Sequence, residues 1–350
     1  MFWGFFFRKT LYTDLNMANI TSDEEEENGD FPLYSVIIFG IIISMLIMVA
    51  IIGNVLTIVA YIRDKKLHSV YNTFLLNLSV TDLLLATVSM TFYAVYTLES
   101  FTWPFGYHFC KVYMVIDFTL CLESILMIMI ISFDRLFLLI LGPHYTMKVT
   151  MIKAYVQIGI SWIIAFLLYG LAIIGWDIWT GENVVEEDDC DVQFALNTEF
   201  TTTTAFIEFG IPFICIGTVS FLIYHKIRQR TVVSQGRNTM TYNGANNEKP
   251  KRDLKAAKFL ASLVIVFFVT WAPYTVTTII IAFCDECVNT KLYEFFNWLL
   301  WSKAAMNPFL YAYNSERFKK NFKEVIPIFK ESKKNIQTTE NTSDTINNVA

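Results

Sequence analysis

The sequence predicts an all-α membrane protein: a bundle of seven membrane-spanning helices, with a short amphipathic helix after the last span. Three observations carry this. The 350-residue chain is 54% hydrophobic and only 17% charged, too apolar for an ordinary soluble enzyme. Apolar stretches of spanning length recur at about 34–62, 72–98, 109–141, 151–175, 198–224, 254–283 and 293–313, each able to cross a bilayer core as a helix. The connecting segments also alternate in charge. Arg63-Asp-Lys-Lys-Leu-His68 and stretches 226–237, 249–258 and 317–334 are basic, whereas Asp23-Glu-Glu-Glu-Glu27 and Glu186-Glu-Asp-Asp-Cys-Asp191 are acidic. Basic loops favour the cytoplasmic side, so the N-terminus is expected outside and the C-terminus inside. The net charge of −5 matters less than this distribution.

Residues 1–33 form an acidic outer segment. Its start, Met1-Phe-Trp-Gly-Phe-Phe-Phe-Arg8, lacks a basic leader and a small-residue cleavage site, so the first span is expected to direct insertion. Asn19-Ile-Thr21 is a glycosylation acceptor on the outer side; Asn77-Leu-Ser79 lies inside a span and is expected unused. Each span of the block 34–313 carries a polar or helix-breaking interruption: Gly53-Asn54, Asp82, Asp117, Trp162, Pro212, Trp271-Ala-Pro273 and Asn307-Pro308. Proline in a membrane helix often only kinks it, but one marker in every successive span is less easily dismissed. Of six cysteines, Cys110, Cys190, Cys284 and Cys287 fall on the outer side, and Cys121 and Cys215 fall inside spans. Cys110 with Cys190 would staple the long outer loop to the third span, and Cys284 with Cys287 would close a small ring; sequence alone leaves the connectivity open. The inner loop 229–252 reads as mobile, 314–329 as an amphipathic helix on the inner leaflet, and 330–350 as a disordered tail with candidate phosphorylation sites.

The third span organises the rest. Asp117, Cys121 and Ser124 share one helix face. Arg135, beside Asp134, lies about five turns and roughly 27 Å further along the same face. Ionisable groups in a membrane are costly and point to function. Asp117 and Glu208 have no Lys or Arg within one turn, so both would be satisfied by a ligand with a cation at one end and a ring N–H at the other. Tyr93, Phe118, Phe194, Trp271, Tyr274, Thr275, Trp298 and Trp301 are candidate walls for that site; aromatic faces attract ammonium groups. Glu123 is about 240° round the helix from Asp117, facing away. Its partner is open: it is protonated, or bonded to a backbone group of the second or fourth span. Lys303 shares a face with Asn307 and needs a carboxylate at that depth, for which Asp82 is the obvious choice.

These markers, with Trp103, Asp134-Arg135, Tyr274 and Asn307-Pro308-Phe-Leu-Tyr311, resemble the rhodopsin-like G-protein-coupled receptors over about 35–329. Within that family the chain looks like an amine receptor, because Asp117 sits seven residues after Cys110. It is similar to histamine receptors of the third and fourth subtypes through Cys121, Glu208, Tyr274, Tyr93, Phe194, and Trp298 with Trp301. The resemblance implies that Asp117 takes the ammonium of histamine and Glu208 its imidazole. It further implies that Asp253 clasps Arg135 at rest, that Asn307, Pro308 and Tyr311 form a second switch, and that a heterotrimeric G protein of the inhibitory class is engaged. Arrestin, receptor kinases and membrane lipid are the other partners implied, at the plasma membrane. No enzyme activity, cofactor, metal or nucleic acid is expected. Relatives hold sodium with the equivalents of Asp82 and Ser124 and an Asn where Lys303 stands; here Lys303 is expected to replace the ion with a tethered ammonium. Leu136, Ser220 and the short inner loop are further departures. The alternatives are a receptor for another monoamine and a largely ligand-independent one. A retinal pigment is disfavoured because Trp301 stands where that lysine would be, and a transporter because no repeated halves are visible.

Overall fold

The computed structural model describes residues 33–99, 101–181, 185, 189–194, 197–237, 248–284 and 287–325; for 33–36, 143, 230–237, 248–257 and 290 it describes backbone alone. Asn19, the acidic outer segment and the candidate phosphorylation sites of the tail lie outside these residues. The described residues contain no strand. Helices Leu33–Arg63, Val70–Leu98, Tyr107–Leu141, Met151–Thr180, Thr198–Arg237, Glu248–Phe283 and Thr290–Asn314 are the first to seventh spans. Six are long and apolar enough to cross a membrane. The seventh is 25 residues long, sufficient at 1.5 Å per residue, but it carries Glu294, Asn297, Lys303 and Asn307 inward, where they are buried.

Helix starts follow the side chains. Ser69, Thr150, Asn197 and Asn289 each accept a hydrogen bond from a backbone N–H of the first turn, satisfying donors that have no intrahelical partner. Gly181, at φ 72°, ends the fourth span five residues later than the composition suggested. The inner ends also run on: the fifth span continues to Arg237 and the sixth begins at Glu248. The expected inner loop 229–252 is therefore helical at both ends, because its basic residues are good helix formers. The amphipathic helix is Glu316–Val325, inside the expected stretch, and buries Phe318 beside Tyr311.

Two spans are locally underwound and widened into π-turns, at Leu85–Met90 and Phe206–Gly210. Pro212 explains the second. It lacks an N–H and its ring would collide with the carbonyl of Glu208, four residues back. The ladder slips instead, and the Ile211 N–H bonds to Phe206 O. Such turns shift every later side chain round the axis and occur often at functional sites.

The first span meets the seventh closely, with the Gly53 backbone against the Pro308 ring. A Cβ on Gly53 would lie 2.8 Å from Pro308 Cγ. One residue on, Asn54 Nδ2 donates to Ala50 O and Ala304 O, both at 2.9 Å. At the inner rim Arg317 Nε and Asn321 Nδ2 donate to Asp64 at 2.6 and 3.1 Å. On the outer side both cysteine pairs are joined, Cys110–Cys190 and Cys284–Cys287. The first ties the loop after the fourth span to the head of the third.

Gly53→Ala should lower the melting temperature of the protein in nanodiscs, by about 1–3 kcal/mol of stability, because the proline ring it strikes cannot swing aside. Arg317, and then Asn321, hold the Asp64 carboxyl down at about 2 against an ordinary 3.8. A lowered value means the contribution is complete above pH 3.8 and lost as pH falls through about 2. The melting difference between the native chain and Asp64→Asn should therefore be present at neutral pH and close over that interval.

Candidate functional site

Near the outer end, five of the expected residues line one cavity: Glu208, Phe118, Phe194, Tyr274 and Thr275. Tyr169, Thr201, Thr204, Ala205, Phe209 and Thr278 complete it, whereas Asp117, Cys121, Tyr93, Trp271, Trp298 and Trp301 are not in its lining. Tyr169, on the fourth span, donates to Glu208 Oε2 at 2.6 Å. Its ring packs 4.8 Å from Phe118 and 6.5 Å from Phe194. Sequence reasoning missed Tyr169, because nothing local to the fourth span connects it to an acid on the fifth. Thr275 lines the cavity but spends its hydroxyl on Trp271 O of its own helix.

Asp117 is 3% exposed, and its Oδ1 has no hydrogen-bond partner. It and Glu208 lie within electrostatic reach of each other, and both reach Cys121 between them. Trp301 stands beside Cys121. From there an aromatic wall continues outward: Trp301 to Trp298 at 5.3 Å, and Trp301 to Tyr93 at 4.9 Å. Among the described residues the indole N–H groups of Trp271 and Trp298 are buried without a partner, and that of Trp301 is directed towards Cys121. Trp271 packs on Phe267 below, and Tyr274 on Tyr293 above. Asp117 with an open oxygen, Glu208 with one oxygen held by Tyr169, and aromatic sides can hold a small, elongated, cationic molecule.

Below this site lies a polar cluster. Asn307 Nδ2 donates to Asp82 Oδ2 at 2.6 Å, and Ser124 Oγ lies 3.5 Å from Asp82 Oδ1. The Lys303 ammonium donates to Ser124 Oγ. All four residues are buried. The expected pairing of Lys303 with Asp82 is thus relayed through Ser124 rather than made by direct contact. The reason is position: Ser124 on the third span stands between the second and seventh.

Glu123 points away from the cavity, as its phase requires, but its partners are side chains and not the backbone. Asn77 Nδ2 and Ser161 Oγ donate to its Oε1 at 2.8 and 3.0 Å, and Trp162 Nε1 donates to Asn77 Oδ1 at 3.2 Å. At the inner end Arg135 pairs with its neighbour Asp134, which also accepts from Tyr145 OH at 2.9 Å. The guanidinium lies 3.8 Å above the Tyr71 ring, a partner that sequence reasoning did not foresee. Asp253, the other expected partner, lies on the sixth span, but its side chain is outside the described residues. Tyr311 is fully buried, its ring 6.0 Å from Phe259 and its hydroxyl without a partner.

Seven spans packed round a buried acid, with an outer staple and an inner arginine, define a membrane-embedded receptor. The family described as 7 transmembrane receptor (rhodopsin family) matches residues 53–311, and the chain belongs to it. It is accordingly a multi-pass membrane protein and not an enzyme. It is 31% identical over 307 residues to trace amine-associated receptor 8b of Rattus norvegicus, covering 84% of this chain and 86% of that one. It is 27% identical over 358 aligned positions to the D(1A) dopamine receptor of Xenopus laevis, covering 89% and 77%. Muscarinic acetylcholine receptor M3 of Bos taurus matches at 31% over 216 residues, 62% of this chain and 36% of that receptor. The matched stretch is thus little more than a third of the muscarinic relative.

Asn77→Ala should leave Glu123 Oε1 with Ser161 alone and strand the Trp162 N–H. The cost expected is about 1–3 kcal/mol, read as a lower melting temperature in nanodiscs. Asn77→Asp, which cannot donate to Glu123 when ionised, should not restore it.

Proposed function

We propose that this chain is a plasma-membrane receptor for a small biogenic amine, best fitted by histamine, and that it signals through a heterotrimeric G protein. The observation that carries the reading is the pair Asp117 and Glu208. Both are embedded in spans and neither has a basic partner among the described residues; Glu208 lines a cavity with Phe118, Phe194 and Tyr274, and Asp117 lies within electrostatic reach of Glu208. The ligand ammonium is assigned to Asp117, whose Oδ1 is buried and unbonded. The imidazole N–H is assigned to Glu208, whose Oε2 is held by Tyr169 and whose Oε1 then remains for the ligand. The relatives named for acetylcholine, trace amines and dopamine support an amine as the class. The choice of histamine rests on the second carboxylate and on the resemblance of Cys121, Tyr274 and the tryptophan pair. Inhibitory-class coupling and desensitisation by kinases and arrestin rest on resemblance alone. The N-terminus is assigned to the outside on loop charge.

In this reading agonist binding shifts a population between two packings rather than forcing one. Arg135 held by Asp134 and Tyr71 is the inner latch, with Asp253, Asn307, Pro308 and Tyr311 moving with it. Lys303 supplies a fixed cation to the Asp82 and Ser124 cluster, in place of a diffusible ion.

Histamine titration of G-protein activation, in cells expressing the full chain, tests the pocket. Asp117→Asn and Glu208→Gln should each weaken the response by at least about thirtyfold, the loss expected when one partner of a buried charge pair is removed. A response unchanged in Glu208→Gln would keep the amine anchor and discard histamine. Agonist affinity should also be indifferent to sodium at fixed ionic strength. A sodium-specific loss of affinity, abolished by Asp82→Asn, would overturn the role given to Lys303.

A further inference from the structure

The two-carboxylate reading leaves another buried acid of the outer half unused. Glu294, on the seventh span, is 7% exposed. Its two oxygens accept from one group, the Tyr93 hydroxyl, at 2.9 and 3.1 Å. A neutral phenol solvates a carboxylate but does not neutralise it, and no Lys or Arg among the described residues pairs with Glu294, so a cation would complement it. The surroundings suit an alkylammonium. The Tyr93 ring lies 5.9 Å from Trp298 and 5.6 Å from Tyr96, and aromatic faces attract such cations. Trp298, 94% buried, offers its ring face in the same wall.

The loop above adds negative charge from a different part of the chain. Tyr96 OH donates to Asp189 at 2.8 Å. Two residues on, Asp191 is buried, with Oδ1 on the backbone N–H of Val192 and Oδ2 without a partner. Burial, and then Asp189 nearby, push the Asp191 carboxyl up. Tyr96 and Tyr293 each lie within electrostatic reach of both Asp191 and Glu294. The two acids therefore flank the same aromatic floor.

Glu294 is seven residues, or two helical turns, outward of Trp301, a rise of about 10 Å. Trp301 in turn stands beside Cys121, one turn below Asp117 on the third span. We infer that Glu294, walled by Tyr93 and Trp298, is a second ammonium subsite at the mouth, so that the receptor takes diamines whose two cations reach Asp117 and Glu294 together. This rests on Asp117 being the amine anchor.

The test uses the full chain in nanodiscs and reads affinity from ligand-induced melting shifts. The probes are α,ω-diaminoalkanes of increasing length and n-alkylamines of matched carbon number. One diamine length should bind at least about tenfold tighter than its matched monoamine, the yield of one charge-assisted contact. Glu294→Gln should erase that advantage and leave monoamine affinity unchanged, which also shows that the variant is folded. Glu294→Asp keeps the charge on a shorter arm and should move the optimum to a longer diamine. The inference is overturned if no diamine exceeds its monoamine, if the advantage survives Glu294→Gln, or if Glu208→Gln removes it instead. Asp117→Asn separates the two readings. Monoamine binding that survives it refutes the anchor itself, whereas monoamine binding that needs Asp117 with no diamine gain refutes the Glu294 subsite alone.

Discussion

An ionisable group in a membrane interior must be given a complement, since solvent cannot supply one. Much of this molecule is arranged around that constraint. Asp82 receives Asn307 and Ser124, with the Lys303 ammonium behind Ser124. Glu123 receives Asn77 and Ser161, Glu208 receives Tyr169, and Glu294 receives Tyr93. Each donor comes from a different helix than the acid it serves. The polar contacts thereby set which helices are neighbours and at what depth, in a medium where apolar burial against lipid discriminates weakly. Asp117 departs from this pattern: its Oδ1 is buried and left open, at the position where a ligand cation would be most useful.

Local backbone defects aim the side chains that serve the site. The π-turn at Phe206–Gly210 contains Glu208, and the one at Leu85–Met90 precedes Tyr93 by a turn. A regular helix would have presented both groups at another angle. Close approach of backbones does comparable work lower down. Gly53 against Pro308, and Asn54 bonded to Ala304 O, bring the first span onto the seventh. That contact helps to hold Lys303 and Asn307 at the level of Asp82.

The fold was largely legible because spanning helices are written in composition. A run of apolar residues long enough to cross a bilayer has few alternatives, since backbone groups inside lipid must bond within the helix. The ends were less legible. The fourth span stops at a glycine rather than where hydropathy falls, and the fifth and sixth continue through basic residues that are helix formers as well as loop markers. Of the site, Asp117, Cys121 and Ser124 could be placed on one face by counting, and Trp298 with Trp301 likewise. Glu123 could be excluded from the cavity in the same way, although its partners could not be named.

What the sequence by itself determined is therefore the set of helices, their expected orientation and the face each polar marker occupies, because helical phase is a local property. The tertiary structure decided which faces meet. It chose Tyr169 for Glu208, Tyr93 for Glu294, Tyr71 for Arg135, and Ser124 as the relay between Lys303 and Asp82. None of these pairs is close in the chain, and each depends on the depth and rotation of two helices packed together. Those two quantities follow from the whole bundle, and no single span encodes them.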